Sequence, residues 1–334
     1  MPEAGIPLRR LWLRSLRTVD RSVNALLDPL RLVASGPQAL AILAAWRPAA
    51  MFTTGGYVAI PMLVAARALG VPTLLWEGNL MPGRSVRATA GLASAVAVSF
   101  AGTGEILGRR CFVTGTPTRP LADVDAAGAR ERLRIGAHER VLLVFGGSQA
   151  VRRFDDALAD VLPLLVAQRT VIHVTGAAGW EGAQRRRGAL PEAHRERYRP
   201  YTFLGPEMAD ALAAADVIVG RAGSSTLAEV TALGRPMIVV PYAHAGGHQE
   251  QNARVLGQAG AAVVLDDDAF DGPALLGALT EIDDPARAAA MRLASLGLGR
   301  PGAAAAAAEL LSALAEHRPL PSADAIATMA KGTM

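Results

Sequence analysis

Short apolar runs alternate with longer stretches of helical apolar spacing from about residue 50 to residue 265. Residues 50–53, 72–76, 95–100 and 111–114 are strand-like, and 58–69 and 84–92 carry a helical period. A polar stretch at 122–140 interrupts the alternation after Pro117 and Pro120. The pattern then restarts, with strands predicted over 140–145, 171–175, 217–220, 237–241 and 261–265. Helices are predicted over 153–167, 208–215, 225–233 and 249–259. Strand-then-helix repetition predicts parallel sheets covered by helices. Two such halves predict two doubly wound, Rossmann-like α/β domains with a cleft between, 1–120 and 121–300. The alanine run 303–308 predicts a helix over 301–318, expected to pack back on the amino-terminal half. Periodicity is lost after Pro319, so 319–334 is expected to fray.

Composition narrows this picture. The chain has 334 residues, of which 51% are hydrophobic but only 4% aromatic, so its cores must be built from Ala, Leu and Val. The formal net charge is +4, carried by arginine except for Lys331. Mild basicity suits a phosphate-bearing substrate or an anionic membrane surface. No RNP, KH or zinc-finger pattern points to nucleic acid. Cys111 stands alone, which fits a reducing compartment. No signal-peptide pattern and no run of about 18 apolar residues is present. Residues 9–31 mix Arg with Leu, Trp and Val, as a basic membrane-facing surface or a helix with a solvated charged face would.

The unusual residues fall just after the predicted strands, where open α/β sheets bind ligands. Thr54-Gly55-Gly56-Tyr57 is a strand-to-helix loop whose glycines permit close backbone approach to an anion, or simply a tight turn. Trp76-Glu77-Gly78-Asn79 offers a carboxylate and an amide, for a sugar or for ordering its own loop. Gly146-Gly147-Ser148-Gln149 follows an apolar strand; Ser148 adds a hydroxyl for a phosphate oxygen, and no Walker lysine follows. Arg221-Ala222-Gly223-Ser224-Ser225-Thr226-Leu227-Ala228-Glu229 opens a helix with small residues that leave N–H groups available to a diphosphate. Glu229 is then spaced to take both hydroxyls of a ribose, although Ser225 could be a helix cap and Thr226 with Glu229 a capping box. His244 and His248 lack a third ligand of metal spacing, so no metal is expected there. Polar side chains at that helix start suit sugar hydroxyls better.

In combination and order these loops resemble the MurG family of glycosyltransferases. Gly55-Gly56-Tyr57-Val58 with Pro61 is similar to its second glycine loop and Gly146-Gly147-Ser148-Gln149 to its third. Arg221 to Glu229 resembles its ribose-binding segment, and His244 with His248-Gln249 and Asn252-Ala253 its donor-sugar segment. Asn79 also matches, as does Arg119 within Gly115-Thr116-Pro117-Thr118-Arg119. The resemblance runs from about Glu3 to about Leu314.

It implies the two-domain GT-B fold and an inverting, metal-independent transfer of N-acetylglucosamine from UDP-GlcNAc. The implied acceptor is an undecaprenyl-linked muramyl-pentapeptide at the cytoplasmic face of the membrane. The implied process is peptidoglycan synthesis, and with it cell shape and division. It further implies that Glu229 binds the ribose, that Ser148 and the backbone of Ser224, Ser225 and Thr226 face the diphosphate, and that Leu227 and Ala228 share this segment. Gln249 contacts the sugar, Asn79 and Arg119 complete the site, and Leu204 lies near the uracil.

The chain departs from the family pattern where it opens. The family's Gly-Gly-Thr-Gly-Gly-His loop, whose His is the proposed base, has no counterpart, and no His precedes His138. The amino-terminal domain is therefore expected to lack its first β-α units and its catalytic residue, with a start codon set too late the favoured explanation. Trp76, Gly78 and Ala150 stand where His, Gln and Gly are usual. Two other readings remain: a sugar-nucleotide-binding protein without transferase activity, and a GT-B transferase for another lipid such as diacylglycerol.

Overall fold

The computed structural model describes residues 5–13, 24–121, 124–146, 152–243 and 247–332, with backbone only at 24–29. The chain divides between Gly115 and Thr116 into two units, five residues before the expected boundary at Pro120.

The first unit opens with helix α1 (Asn24–Trp46), then β1 (Met51–Thr53), α2 (Ala59–Leu69), β2 (Thr73–Glu77), α3 (Arg84–Thr89), β3 (Ala95–Val98), α4 (Gly102–Leu107) and β4 (Phe112–Val113). The strands form one parallel sheet in the order β1-β2-β3-β4. Sequence periodicity missed most of α1, which carries Pro29 and Pro37. Its docking is tertiary: Ala39 and Leu43 are buried against Ala65 and Ala66 of α2.

The second unit begins with α5 (Ala126–Arg132), inside the stretch read as merely polar. Asp125 caps it by accepting a hydrogen bond from the Gly128 amide at 2.8 Å. There follow β5 (Val141–Phe145), α6 (Arg152–Gln168), β6 (Thr170–Val174), α7 (Gly176–Ala189), α8 (Glu192–Arg195) and β7 (Tyr198–Tyr201). Next come α9 (Met208–Ala214), β8 (Val217–Gly220), α10 (Ser224–Ala232), β9 (Met237–Val239), α11 (His248–Gln258) and β10 (Ala262–Val264). Helices α12 (Gly272–Ile282) and α13 (Pro285–Leu298) close it, each capped by an aspartate with proline in the first turn. The sheet is parallel, in the order β10-β9-β8-β5-β6-β7. Strand β7 escaped the pattern because it reads Tyr-Arg-Pro-Tyr; a proline is tolerated there because the strand lies at the sheet edge. Fully buried Leu142, Leu158, Leu162, Val219 and Ile238 anchor the core between this sheet and its helices.

Helix α14 (Ala303–Ala315) returns to the first unit, placing Ala306, Leu310 and Leu314 against Leu74, Ala97 and Phe112. The expected frayed tail is a correction. Residues Ala323–Lys331 form helix α15, with Ile326 and Ala330 fully buried in that same cluster. Short helices lack the windows that reveal a period, and burial of one apolar face decides the outcome.

Candidate functional site

In each unit the predicted residues fall where the sheet strands end. In the first unit Gly55 and Gly56 adopt φ of +72° and +82° after β1. A side chain on Gly55 would approach a Val86 methyl to 2.5 Å, so the turn requires glycine on two counts. After β2, buried Glu77 organises its own loop. Its Oε1 accepts from the Asn79 backbone amide at 2.9 Å and from Asn79 Nδ2 at 3.0 Å, and its Oε2 from the Gly83 amide at 3.1 Å. Loop ordering is thus what Glu77 does, and it fixes the orientation of Asn79. Trp76 donates its indole N–H to the Gly115 carbonyl at 2.9 Å, tying β2 to the segment that leaves the unit.

In the second unit the residues after β8, β9 and β10 converge. Helix α10 starts at Ser224 with Gly223 as its cap residue, and no side chain caps it. Neither the Ser225 cap nor the Thr226–Glu229 capping box forms, so the first-turn amides keep their partial positive charge. Ser225 is exposed, whereas the Leu227 side chain is 2% exposed and belongs to the core, leaving its backbone as the part that can meet a ligand. Glu229 is 8% exposed and accepts from Arg119 Nε at 2.7 Å. Arg119 also donates to the Gly205 carbonyl at 3.3 Å, beside buried Leu204. The ribose candidate, Arg119 and the uracil candidate therefore share one neighbourhood.

At the start of α11, Gln249 Oε1 accepts from the Tyr242 amide at 3.0 Å. Fully buried Asn252 donates to the Ala222 carbonyl at 3.1 Å, linking α11 to the segment after β8. Gly146 directly follows β5; Gly147, Ser148 and His244 lie outside the described residues. Sequence reading missed Asp267, which follows β10 and accepts from Arg221 at 2.6 Å. The Asp266-Asp267-Asp268 run at a strand end was the available signal. Among the described residues no His/Cys/Asp/Glu group could hold a metal ion, and no helix is long and apolar enough to cross a membrane.

A second polar cluster lies beneath α6 and α7. Nearly wholly buried His173 on β6 bonds Asp155 of α6 through Nε2 (3.1 Å) and Tyr198 of β7 through Nδ1 (2.9 Å). The carboxylate can only accept, so Nε2 carries the proton and Nδ1 accepts from the tyrosine hydroxyl. Burial holds the His173 pKa below its ordinary value against the opposing pull of Asp155, and pushes Tyr198 up to about 12.

Two parallel sheets, each covered by helices and built from strand-helix repeats, have the architecture of the GT-B glycosyltransferases. The family model of the glycosyltransferase family 28 C-terminal domain matches residues 141–311, and that of the family 28 N-terminal domain matches 1–98. A UDP-N-acetylglucosamine--N-acetylmuramyl-(pentapeptide) pyrophosphoryl-undecaprenol N-acetylglucosamine transferase of Desulforudis audaxviator is 36% identical over 94% of this chain and 86% of its own length. The enzyme of the same name from Chlorobium phaeobacteroides is 34% identical over 95% and 87%. The chain belongs to the MurG family. Among solved structures, Acinetobacter baumannii MurG superposes with a TM-score of 0.74 at 22% identity, covering 93% of this chain and 86% of that one. The glycotransferase of kitacinnamycin superposes with a TM-score of 0.62 at 19% identity, covering 92% and 86%. At such identities these two likenesses speak for the fold.

Proposed function

We propose that this protein moves N-acetylglucosamine from UDP-GlcNAc onto an undecaprenyl-linked N-acetylmuramyl-pentapeptide, the reaction its relatives are named for. The observation that carries the donor half is the buried Glu229 carboxylate, one turn inside an uncapped helix start and oriented by Arg119. A carboxylate there accepts both ribose hydroxyls, while the amides of Ser224, Ser225 and Thr226 hold the diphosphate with Ser148 of the preceding glycine loop. Gln249 meets the sugar hydroxyls, Leu204 lies by the uracil, and the backbone of Leu227 and Ala228 continues the phosphate-facing turn. Asn79, fixed by Glu77, is the substrate-binding residue of the first unit, whose Gly55–Gly56 turn supports the acceptor.

An acceptor hydroxyl attacks the anomeric carbon from the face opposite the diphosphate and gives up its proton to solvent water as the new carbon–oxygen bond forms. The bond from that carbon to the diphosphate oxygen breaks and UDP leaves with the electron pair, its charge spread over the helix amides and Ser148. Configuration inverts and no metal takes part.

The chain works as a peripheral protein on the cytoplasmic face of an anionic membrane. Exposed Ile6, Leu8 and Trp12 interleave with Arg9 and Arg10, and residues 7–11 and Leu13 line an apolar hollow of about 780 Å³ with Trp46, Phe52 and Val58. Incubation with labelled UDP-GlcNAc and lipid-linked muramyl-pentapeptide should yield the disaccharide lipid. Label transferred to diacylglycerol instead, or UDP-GlcNAc bound without turnover, would overturn this assignment.

A further inference from the structure

Arg221 is nearly buried, with 8% of its side chain exposed, and gathers three strand-end segments of the second unit and the first turn of α6. It follows β8. Its Nη1 donates to the carbonyls of Val240 (3.1 Å) and Pro241 (3.3 Å) after β9, and to Asp267 Oδ1 (2.6 Å) after β10. Its guanidinium carbon lies 4.9 Å from the ring centre of Phe154, in the first turn of α6, and 5.3 Å from that of Tyr242. Asp267 reaches α6 as well, 3.7 Å from Arg153 Nε.

The consequence lies one bond further on. Tyr242, held against Arg221, is the residue whose amide grips the Gln249 side chain. Nothing in this chain of contacts passes through Glu229 or the first turn of α10. We propose that Arg221 and Asp267 are positioning residues that set the sugar selectivity of the donor site by holding Tyr242, and through it Gln249, in place. This rests on the UDP-GlcNAc reading of the site.

The geometry separates two duties. On this proposal affinity for the uridine diphosphate resides with Glu229 and the α10 amides; discrimination of the attached hexosamine resides with Gln249, fixed from behind by an arginine whose side chain is buried among protein partners. Arginine is required because one planar group must bond carbonyls and a carboxylate while presenting a flat face to aromatic rings. A lysine ammonium keeps the charge and loses the face.

The test is calorimetric binding of UDP and of UDP-GlcNAc to wild type, Arg221→Lys and Asp267→Asn. Both variants should bind UDP within about twofold of wild type and UDP-GlcNAc about tenfold more weakly, with KM for the donor raised more than kcat is lowered. Preserved UDP affinity shows that the variants are folded; if Arg221→Lys fails to fold, the milder Asp267→Asn carries the test. Equal losses for both ligands, or no loss for either, overturn the proposal. Wild type that binds neither ligand would instead sink the donor-site reading itself.

Discussion

Among the described residues, one face of the six-stranded sheet of the second unit carries a large core cluster, in which α6 and α12 pack together and buried side chains run from Leu142 to Met291. The clusters described around the four-stranded sheet of the first unit are each smaller. Among the described residues large apolar side chains are exposed in both units, thirteen in the first, Trp12 and Val33 among them, and six in the second, where Phe203 reaches 78%. Under the proposed function the second sheet presents several loops to one nucleotide, and a deep core with buried ion pairs supplies the stiffness that this needs. The same proposal gives the lipid-linked substrate to the first unit, where exposed apolar surface is an advantage.

The contrast can be broken experimentally. The largest effect should follow Leu142→Ala in the second unit, which opens a cavity in a filled core and costs about 2–5 kcal/mol. Phe52→Ala in β1, where the side chain is 40% exposed, should cost less than about 1 kcal/mol. Urea unfolding of the two variants measures the difference, and equal shifts would erase the distinction. Next, Glu229→Ala should weaken UDP binding by about ten- to a hundredfold, the worth of hydrogen bonds to a charged group. Unchanged calorimetric affinity would refute the ribose role.

Glu77→Ala removes the acceptor for the Asn79 and Gly83 amides and should cost about 1–3 kcal/mol. Faster amide exchange should be confined to the loop after β2, and exchange spreading along the strands of the first unit would show that Glu77 supports more than its own loop.

The smallest effect concerns pH. The folded His173 pKa lies below the ordinary value of about 6.5, so below that pH the unfolded chain takes up a proton that the folded site resists. Its contribution is therefore complete above about pH 6.5 and is lost as pH falls toward the folded value. Thermal unfolding should show the second unit losing stability from pH 7.5 to pH 5.5, with His173→Gln flattening that dependence. A slope unchanged by the substitution would show that other groups govern it.

Strand-helix alternation made both parallel sheets legible, because buried parallel strands read as short apolar runs and their helices as 3.6-residue periods. The five glycine and polar segments were legible for a related reason: strand-end loops must be small and polar whatever they bind. Elements whose formation depends on position stayed hidden. Strand β7 tolerates Pro200 only as an edge, α1 carries two prolines yet docks on α2, and α15 is ordered by two residues it buries in a distant cluster.

Sequence alone thus determined the fold class and the residue types gathered at the strand ends, since both follow from local pattern and spacing, while the family came from the resemblance its motifs carry. Only the tertiary structure decided that Glu77 serves its own loop, that Glu229 pairs with Arg119, and that Arg221 finds Asp267 forty-six residues away. Such partners are chosen by proximity in the folded sheet, where burial makes an unpaired charge costly, and that proximity has no signature in the order of the residues.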